Sequence, residues 1–262
     1  MEEQPPKNRR SFIAGVFIGL KAYFKVVPVM FRNGLWPVQL LPALISLILS
    51  VGMAFSFYLI SGKLTEWLDG LITIPWEWLD TTLDVTIRIL SFLILAVAFV
   101  FAHKHIVIVV LSPLLGKVAE VTHRAVTSES ETSPLAFPAA MARSIRINFG
   151  NVFKELFLNF VFLLCNFIPV VGSLASSAGL FITQARFLGY GLMDFPLEHR
   201  HFSVSESMAW MKKRDGISTG LGAGYVLLML IPFVGWMFAP TFGTVAGTLL
   251  AIDELDREKP SR

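Results

Sequence analysis

Long uncharged segments alternate with short charged segments along this chain. Residues 33–62, 156–185 and 216–252 contain no Asp, Glu, Lys or Arg. An α-helix needs about 20 apolar residues to cross roughly 30 Å of hydrocarbon. Residues 33–62 therefore predict one full transmembrane helix, and the apolar stretch over residues 89–116 predicts a second.

The other two uncharged segments share one interruption, Ile-Pro-x-Val-Gly, at Pro169 and at Pro232. Only 13 residues of the first uncharged segment precede Pro169. A helix of 13 to 17 residues reaches about 20 to 25 Å at 1.5 Å per residue. Each segment therefore predicts a re-entrant helical hairpin that enters the membrane partway and turns back at Pro-x-x-Gly. The alternative for residues 156–185 is a single full span.

The tips of these two predicted hairpins are candidate functional positions. A helix that is broken inside the membrane exposes N–H groups at the start of its second half, where the helix dipole favours anions. Transporters place substrate sites at such helix ends. The tip residues that could line a solute pathway are Pro169, Gly172, Ser173, Pro232 and Gly235. The alternative is that both breaks only close a helical bundle and bind no ligand.

The flanking segments predict interfacial helices and short tails. Residues 11–32 predict an amphipathic helix on the membrane surface, because Lys21 and Lys25 lie one turn apart in an apolar run. Residues 63–88 are acidic and rich in tryptophan, which favours the headgroup level. We expect one membrane domain over residues 11–252. The remaining residues form an N-terminal tail and a charged C-terminal tail, residues 1–10 and 253–262.

Composition and charge place the chain among membrane proteins. It is 54% hydrophobic and 16% charged, with a mean hydropathy of +0.64, far from a soluble average. Residues 63–88 hold two basic and five acidic residues, and the other 20 Lys and Arg lie where two spans and two hairpins place the cytoplasm. Both termini are therefore predicted to be cytoplasmic. The net charge of +3 is too small to favour nucleic-acid binding.

Catalytic and metal-binding patterns are missing from the sequence. A single cysteine, Cys165, excludes a disulfide framework or Cys-based metal site within one chain. The pairs in His103-Lys104-His105 and His199-Arg200-His201 are two residues apart and do not share a helix face, so we interpret them as basic anchors at the interface. Lys104 is alternatively a pore-lining charge. Without a nucleophile elbow, zinc-protease pair or P-loop, we expect no enzyme activity, catalytic residue, metal or cofactor.

A further group of charges lies in the region predicted to be cytoplasmic. Arg143 and Arg146 occur in the same segment as Lys117 and Glu120. These side chains are either solvated charges at the interface or a cluster that pairs internally or gathers anions at a pore mouth.

Several short motifs occur in a fixed order along the chain. They are GLKAYFK, GLWPVQLLPAL, LSPLLGKVAE, NFIPVVG, MDFPLEH and MLIPFVG. Together they resemble the CysZ-type sulfate permease family, which shares its domain with the etoposide-induced-protein membrane family. The resemblance runs from about Phe12 to Leu250. It implies two long transmembrane helices, two pairs of partly penetrating helices, a bacterial inner membrane, and homo-oligomers whose pores conduct sulfate to the cytoplasm.

The resemblance also indicates an anion site, and this chain departs from it at one position. The family's sulfate site has glycine, an aliphatic residue and arginine before the first long helix. Gly34 and Leu35 match, but Trp36 occupies the arginine position. The candidate anion-binding residues are therefore Arg32, Asn33, Gly34 and Leu35. The leading interpretation is an ATP-independent permease or channel for sulfate or another small anion, and the alternative is a non-transporting scaffold or bilayer-shaping protein.

Overall fold

The computed structural model describes residues 11–71, 77–127, 136–165, 168 and 171–258. All regular elements within these residues are α-helices, which confirms the predicted all-α class. The helices are α1 (Phe12–Arg32), α2 (Trp36–Leu71), α3 (Glu77–Thr127), α4 (Phe137–Leu164), α5 (Val171–His199), α6 (Val204–Lys213), α7 (Asp215–Met229) and α8 (Val234–Asp256). Pro169 and both ends of the chain, residues 1–10 and 259–262, lie outside the described residues.

Helical segments that can cross a membrane dominate the structure. Among the described residues, five segments of 21 to 29 residues are long and apolar enough to span a bilayer by length and composition. They are Phe12–Arg32, Trp36–Leu64, Ala102–Thr127, Pro138–Leu164 and Val234–Asp256. The chain is therefore an integral membrane protein.

The two long helices extend beyond the apolar segments that predicted them. Helix α2 has 36 residues and α3 has 51, so the acidic, tryptophan-rich segment is helical on both sides of residues 72–76, which are not described. Helix α3 also continues through Pro113, which has no N–H to donate to the Val109 carbonyl. The Ser112 hydroxyl donates to that carbonyl instead, at 2.8 Å.

Two helical hairpins follow, at the places where the Ile-Pro-x-Val-Gly motif predicts them. Hairpin one consists of α4 and α5, with 28 and 29 residues, and hairpin two consists of α7 and α8, with 15 and 23 residues. Three of these arms are longer than the predicted 13 to 17 residues. The helices continue past the uncharged segments, and the buried charges there, such as Glu155 and Asp194, find partners, as shown below. Partial penetration of the membrane stays a prediction.

Helix α1 packs backbone to backbone on α7. Gly15 and Gly19 of α1 face Gly216 and Gly220 of α7, two glycine pairs with the same four-residue spacing. A Cβ at Gly19 would overlap the Ile217 carbonyl oxygen, so a larger residue would separate the helices. Small residues allow this close approach between membrane helices. The predicted amphipathic helix is thus fixed to the bundle along one face.

The centre of the bundle is the second half of α5. This helix contacts α3, α4, α6, α7 and α8. Its most deeply buried side chains are Tyr190, Leu192, Met193 and Leu197. The first half of α5 and most of α4 expose apolar side chains instead. The turn of hairpin one therefore lies outside the bundle, while the second half of α5 lies at its centre.

Candidate functional site

The repeated sequence motif folds into a repeated turn. In both hairpins the isoleucine of the motif donates its N–H to the carbonyl three residues earlier, at 3.0 and 2.9 Å. The glycine of the motif then donates to the isoleucine carbonyl, at 3.0 and 2.8 Å. A Cβ at Gly172 or at Gly235 would overlap the carbonyl oxygen seven residues earlier. Glycine is therefore required sterically at both turns, and the two hairpins are a structural repeat.

The hairpin tips are apolar and exposed. Leu174 near the first turn and Leu230 at the second are both 72% exposed, and Ser173 and Pro232 are exposed as well. Phe233 has φ +61° and ψ −59°, and the Val234 N–H donates across it to the carbonyl of residue 232 at 2.7 Å. This is a γ-turn, a strained conformation for a non-glycine residue.

The turns use part of their own hydrogen-bonding capacity. The N–H groups of Gly172, Val234 and Gly235 all donate to carbonyls within the turns. Fewer N–H groups are therefore open to an anion at the tips than the break alone predicts. The tips close the hairpins tightly and present apolar side chains outward.

The turn between α1 and α2 has the geometry of a Schellman motif. Gly34 has φ +63°, and the N–H groups of Asn33, Gly34 and Leu35 donate to carbonyls of the last turns of α1, at 3.1, 3.4 and 3.0 Å. Leu35 is buried, whereas Arg32 is exposed beside it. The backbone N–H groups of Asn33, Gly34 and Leu35 are thus already hydrogen-bonded within the turn. Of the four candidate residues, Arg32 offers an exposed guanidinium to an anion.

Trp36, at the position where the resemblance expects arginine, belongs to an aromatic cluster. Its ring centroid lies 5.1 Å from that of Phe31, 6.3 Å from Phe238 and 6.4 Å from Phe242. All three pairs are edge-to-face, which is a favourable geometry for aromatic rings. The tryptophan thus ties the start of α2 to α8.

A buried ion pair joins α3 to α4. The Lys104 ammonium contacts the Glu155 carboxylate, and their side chains are only 6% and 0% exposed. The Nε2 atom of His105 lies 3.3 Å from the same carboxylate, and its Nδ1 atom lies 3.3 Å from Asn148 Oδ1. Removing two charges from water costs several kcal/mol per ion, so both must be partnered to be tolerated here.

A row of hydroxyl groups joins the same part of α3 to hairpin two. His103 Nε2 lies 2.7 Å from the Ser50 hydroxyl, which donates to the Ser46 carbonyl at 2.7 Å. The Ser46 hydroxyl in turn donates to the Trp236 carbonyl at 2.6 Å, just beyond the turn of hairpin two. Ser50 is the midpoint of the Trp36–Leu64 span. Lys104, adjacent to His103, therefore lies level with the middle of that helical segment.

The structure changes the interpretation of His103-Lys104-His105. The sequence predicts interfacial anchors here, with a pore-lining Lys104 as the alternative, but His103 and Lys104 are 2% and 4% exposed. Successive residues face different neighbours, His103 toward α2 and Lys104 toward α4, as the helical spacing predicted. Among the described residues, no group of three His, Cys, Asp or Glu side chains is arranged to hold a metal ion. The long apolar flanks on both sides of the three residues were the signal for burial.

Arg143 organises a second polar cluster, at the far end of α5. Its Nε and Nη2 atoms donate to the Asp194 carboxylate at 2.8 and 2.7 Å, and its Nη1 atom donates to the Phe202 carbonyl at 2.7 Å. The Glu198 carboxylate lies 3.7 Å away. Burial, then the neighbouring charge of Asp194, raise the pKa of Glu198 to about 7 against the opposing effect of Arg143. Of the two interpretations of Arg143, internal pairing is the one that the structure shows.

The same region connects two of the sequence motifs. The His199 ring, at the end of MDFPLEH, lies 2.6 Å through Nε2 from the Gly116 carbonyl of LSPLLGKVAE. Arg146 of α4, unlike the paired Arg143, is exposed. The motifs therefore join α3 to the end of α5.

Paired helical hairpins around long apolar helices, with a buried ion pair between them, define a polytopic α-helical membrane protein. The family model described as sulfate transporter CysZ/etoposide-induced protein 2.4 matches residues 22–240. The chain therefore belongs to this family, as its motifs indicated. No curated protein matches the chain.

Proposed function

We propose that this protein is a permease or channel that moves sulfate, or another small anion, across the bacterial inner membrane without ATP. Membership of a family whose description names a sulfate transporter supports this proposal. The observation that carries it is the buried Lys104–Glu155 pair, which lies level with the middle of the apolar Trp36–Leu64 segment. Ionisable groups inside membrane bundles are costly and mark ion pathways.

In this proposal Lys104 is the internal anion site. The Glu155 carboxylate balances the ammonium when the pathway is empty, and a passing anion takes over part of that role. His105, which contacts Glu155 and lies 3.3 Å from Asn148 Oδ1, holds the carboxylate in place. The hydroxyl groups of Ser50 and Ser46 connect His103, next to this site, to the Trp236 carbonyl of hairpin two. The turn of hairpin two therefore lies next to the proposed pathway.

The predicted tip and turn residues keep supporting roles in this proposal. Arg32, exposed at the α1–α2 turn beside Asn33, Gly34 and Leu35, attracts anions at the mouth of the pathway. Gly172 and Gly235 shape the two hairpin turns that border the pathway. The predicted cytoplasmic termini and homo-oligomer belong to the same proposal, and the exposed phenylalanines along α4 offer a surface for lipid or for a second copy.

Uptake of radiolabelled sulfate into proteoliposomes tests this function. We expect wild-type protein to exceed empty liposomes, and Lys104→Met to lose about tenfold or more of that uptake, since a buried charge is removed from the pathway. Lys154→Met is the matched control, because Lys154 is exposed one residue from Glu155. Wild-type uptake equal to that of empty liposomes, with folded protein confirmed, would refute sulfate transport.

A second function, a non-transporting scaffold, is favoured by one observation. At the predicted anion site the arginine is replaced by Trp36, which packs against aromatic rings, and the neighbouring N–H groups are already bonded. A scaffold predicts no uptake of sulfate, phosphate or chloride by folded protein, together with a change in vesicle shape on reconstitution. Electron microscopy of the same proteoliposomes would distinguish the two functions.

A further inference from the structure

Helix α1 presents three distinct faces. One face is buried on α7. A second face exposes apolar side chains spaced by four and seven residues, namely Ile13, Phe17, Phe24 and Phe31. A third face exposes basic side chains, namely Lys21, Lys25 and Arg32. Neighbouring apolar and basic faces on one helix are typical of a position at the boundary between hydrocarbon and headgroups.

A cavity of about 240 Å³ lies beside the basic face, between α1 and the end of α8. Its floor is apolar and includes Ile18, Ala22, Leu249 and Leu250. Its rim is charged and includes Lys21, Lys25, Asp253, Glu254 and Arg257. An apolar floor under a charged rim fits a molecule that is itself amphipathic, and it is a poor match for a fully hydrated inorganic ion.

The charges on the rim leave a positive excess. The Asp253 carboxylate lies 3.5 Å from Lys25, and Glu254 lies 3.3 Å from Arg214, which is outside the cavity. Lys21 makes no ion pair with the described residues. Arg257 reaches Glu254 only at 3.9 Å, with 64% of its side chain exposed. Lys21 of α1 and Arg257, the residue that follows α8, thus offer charge to an anion from two sides of the cavity.

We infer that this cavity binds the phosphate headgroup of an anionic phospholipid. Lys21 and Arg257 contact the phosphate, the glycerol backbone covers the floor at Ile18 and Leu249, and the acyl chains leave along the exposed phenylalanine face of α1. Basic pockets between membrane helices bind anionic headgroups in this way. The bound lipid clamps α1 against α8, and this inference does not depend on what the protein transports.

Native mass spectrometry of the detergent-purified protein tests the inference with two probes, phosphatidylglycerol and phosphatidylcholine. We expect phosphatidylglycerol to bind at least about fivefold more tightly. Lys21→Gln and Arg257→Gln should each weaken phosphatidylglycerol binding about fivefold, the contribution of one basic side chain at an anionic surface. Asp253→Asn should strengthen the same binding, because it removes the negative charge that competes with the phosphate.

The matched control is Lys212→Gln/Lys213→Gln, which removes two exposed basic side chains of α6 away from the cavity. This control should retain wild-type lipid binding. Equal binding of the two lipids, or equal losses in the control and the cavity variants, would overturn the inference. Displacement of phosphatidylglycerol by millimolar inorganic phosphate would also overturn it, because the cavity would then be a site for free anions.

Discussion

The two hairpins share one turn but are held in the molecule by different forces. Hairpin two lies inside the bundle, because 78% of the most apolar 18-residue stretch of α8 is buried. A neutral hydrogen bond from the Ser46 hydroxyl to the Trp236 carbonyl holds α8 just beyond the turn. In α4, the outer arm of hairpin one, only 22% of the corresponding stretch is buried. The ion pair between Glu155 and Lys104 attaches α4 to α3. The shared local motif therefore produces the same two backbone hydrogen bonds and the same need for glycine, while the surroundings decide how each hairpin is attached.

The ion pair gives the largest expected difference between the hairpins. Glu155→Ala leaves the Lys104 ammonium buried without its carboxylate, so we expect a loss of about 3 to 5 kcal/mol in the free energy of unfolding. The double variant Lys104→Met/Glu155→Leu removes both charges and should recover most of that loss. Thermal unfolding in detergent measures both, and hydrogen exchange should show α4 opening first. No recovery in the double variant would contradict the role given to charge here.

Ser46→Ala is the corresponding change for hairpin two. It removes one hydrogen bond to the Trp236 carbonyl and should cost about 1 to 2 kcal/mol. Ser56→Ala is its control, because Ser56 is exposed and donates only within its own helix, to the Gly52 carbonyl at 2.9 Å. A loss as large as that of Glu155→Ala would show that the two hairpins are attached equally strongly.

The glycines of the two turns give the next effect. Gly172→Ala and Gly235→Ala each place a methyl group against a backbone carbonyl, which should cost about 1 to 3 kcal/mol. We expect the larger loss for Gly235→Ala, because α8 is largely enclosed and cannot move away, whereas α4 of hairpin one is mostly exposed and can move. Differential scanning fluorimetry of both variants measures the difference.

Gly150→Ala is the control for these two substitutions. Gly150 lies in α4 with open space where a Cβ would stand, so alanine there should be neutral or slightly stabilising. Equal losses in Gly172→Ala and Gly235→Ala would mean that the local clash, and not the surroundings of each hairpin, sets the cost.

The smallest expected effect is a pH dependence at the far end of hairpin one. The pKa of Glu198 is raised to about 7 in the folded protein, above its ordinary value of 4.5. Between these values the unfolded chain loses this proton and the folded chain keeps it. The contribution to stability is therefore complete at low pH and is lost as the pH rises through about 7. Thermal unfolding should show about 1 kcal/mol more stability at pH about 6 than at pH about 8 from this group.

Glu198→Gln should flatten this part of the pH profile, because the amide keeps the shape of the protonated acid and does not titrate. A slope unchanged by Glu198→Gln would assign the pH dependence to another group. Because only Glu198 is changed, the experiment also distinguishes its effect on stability from that of Asp194, which accepts two hydrogen bonds from Arg143.

The sequence by itself determined the local features of this protein. The uncharged segment over residues 33–62 identified one membrane-length helix, and the repeated Ile-Pro-x-Val-Gly motif located both turns, because helix breaks depend on proline and glycine within a few residues. The order of the motifs also identified the family, which the match over residues 22–240 confirmed. These features depend on contacts between residues that are close in the chain.

Only the tertiary structure decided which distant side chains meet. Lys104 and Glu155 are 51 residues apart, as are Arg143 and Asp194, and hydropathy along the chain does not pair them. The tertiary structure also showed that the N–H groups around Gly34 donate to carbonyls of α1, which depends on how α1 ends and α2 begins. Periodicity shows which residues share a helix face, but the neighbour of that face depends on how the helices pack.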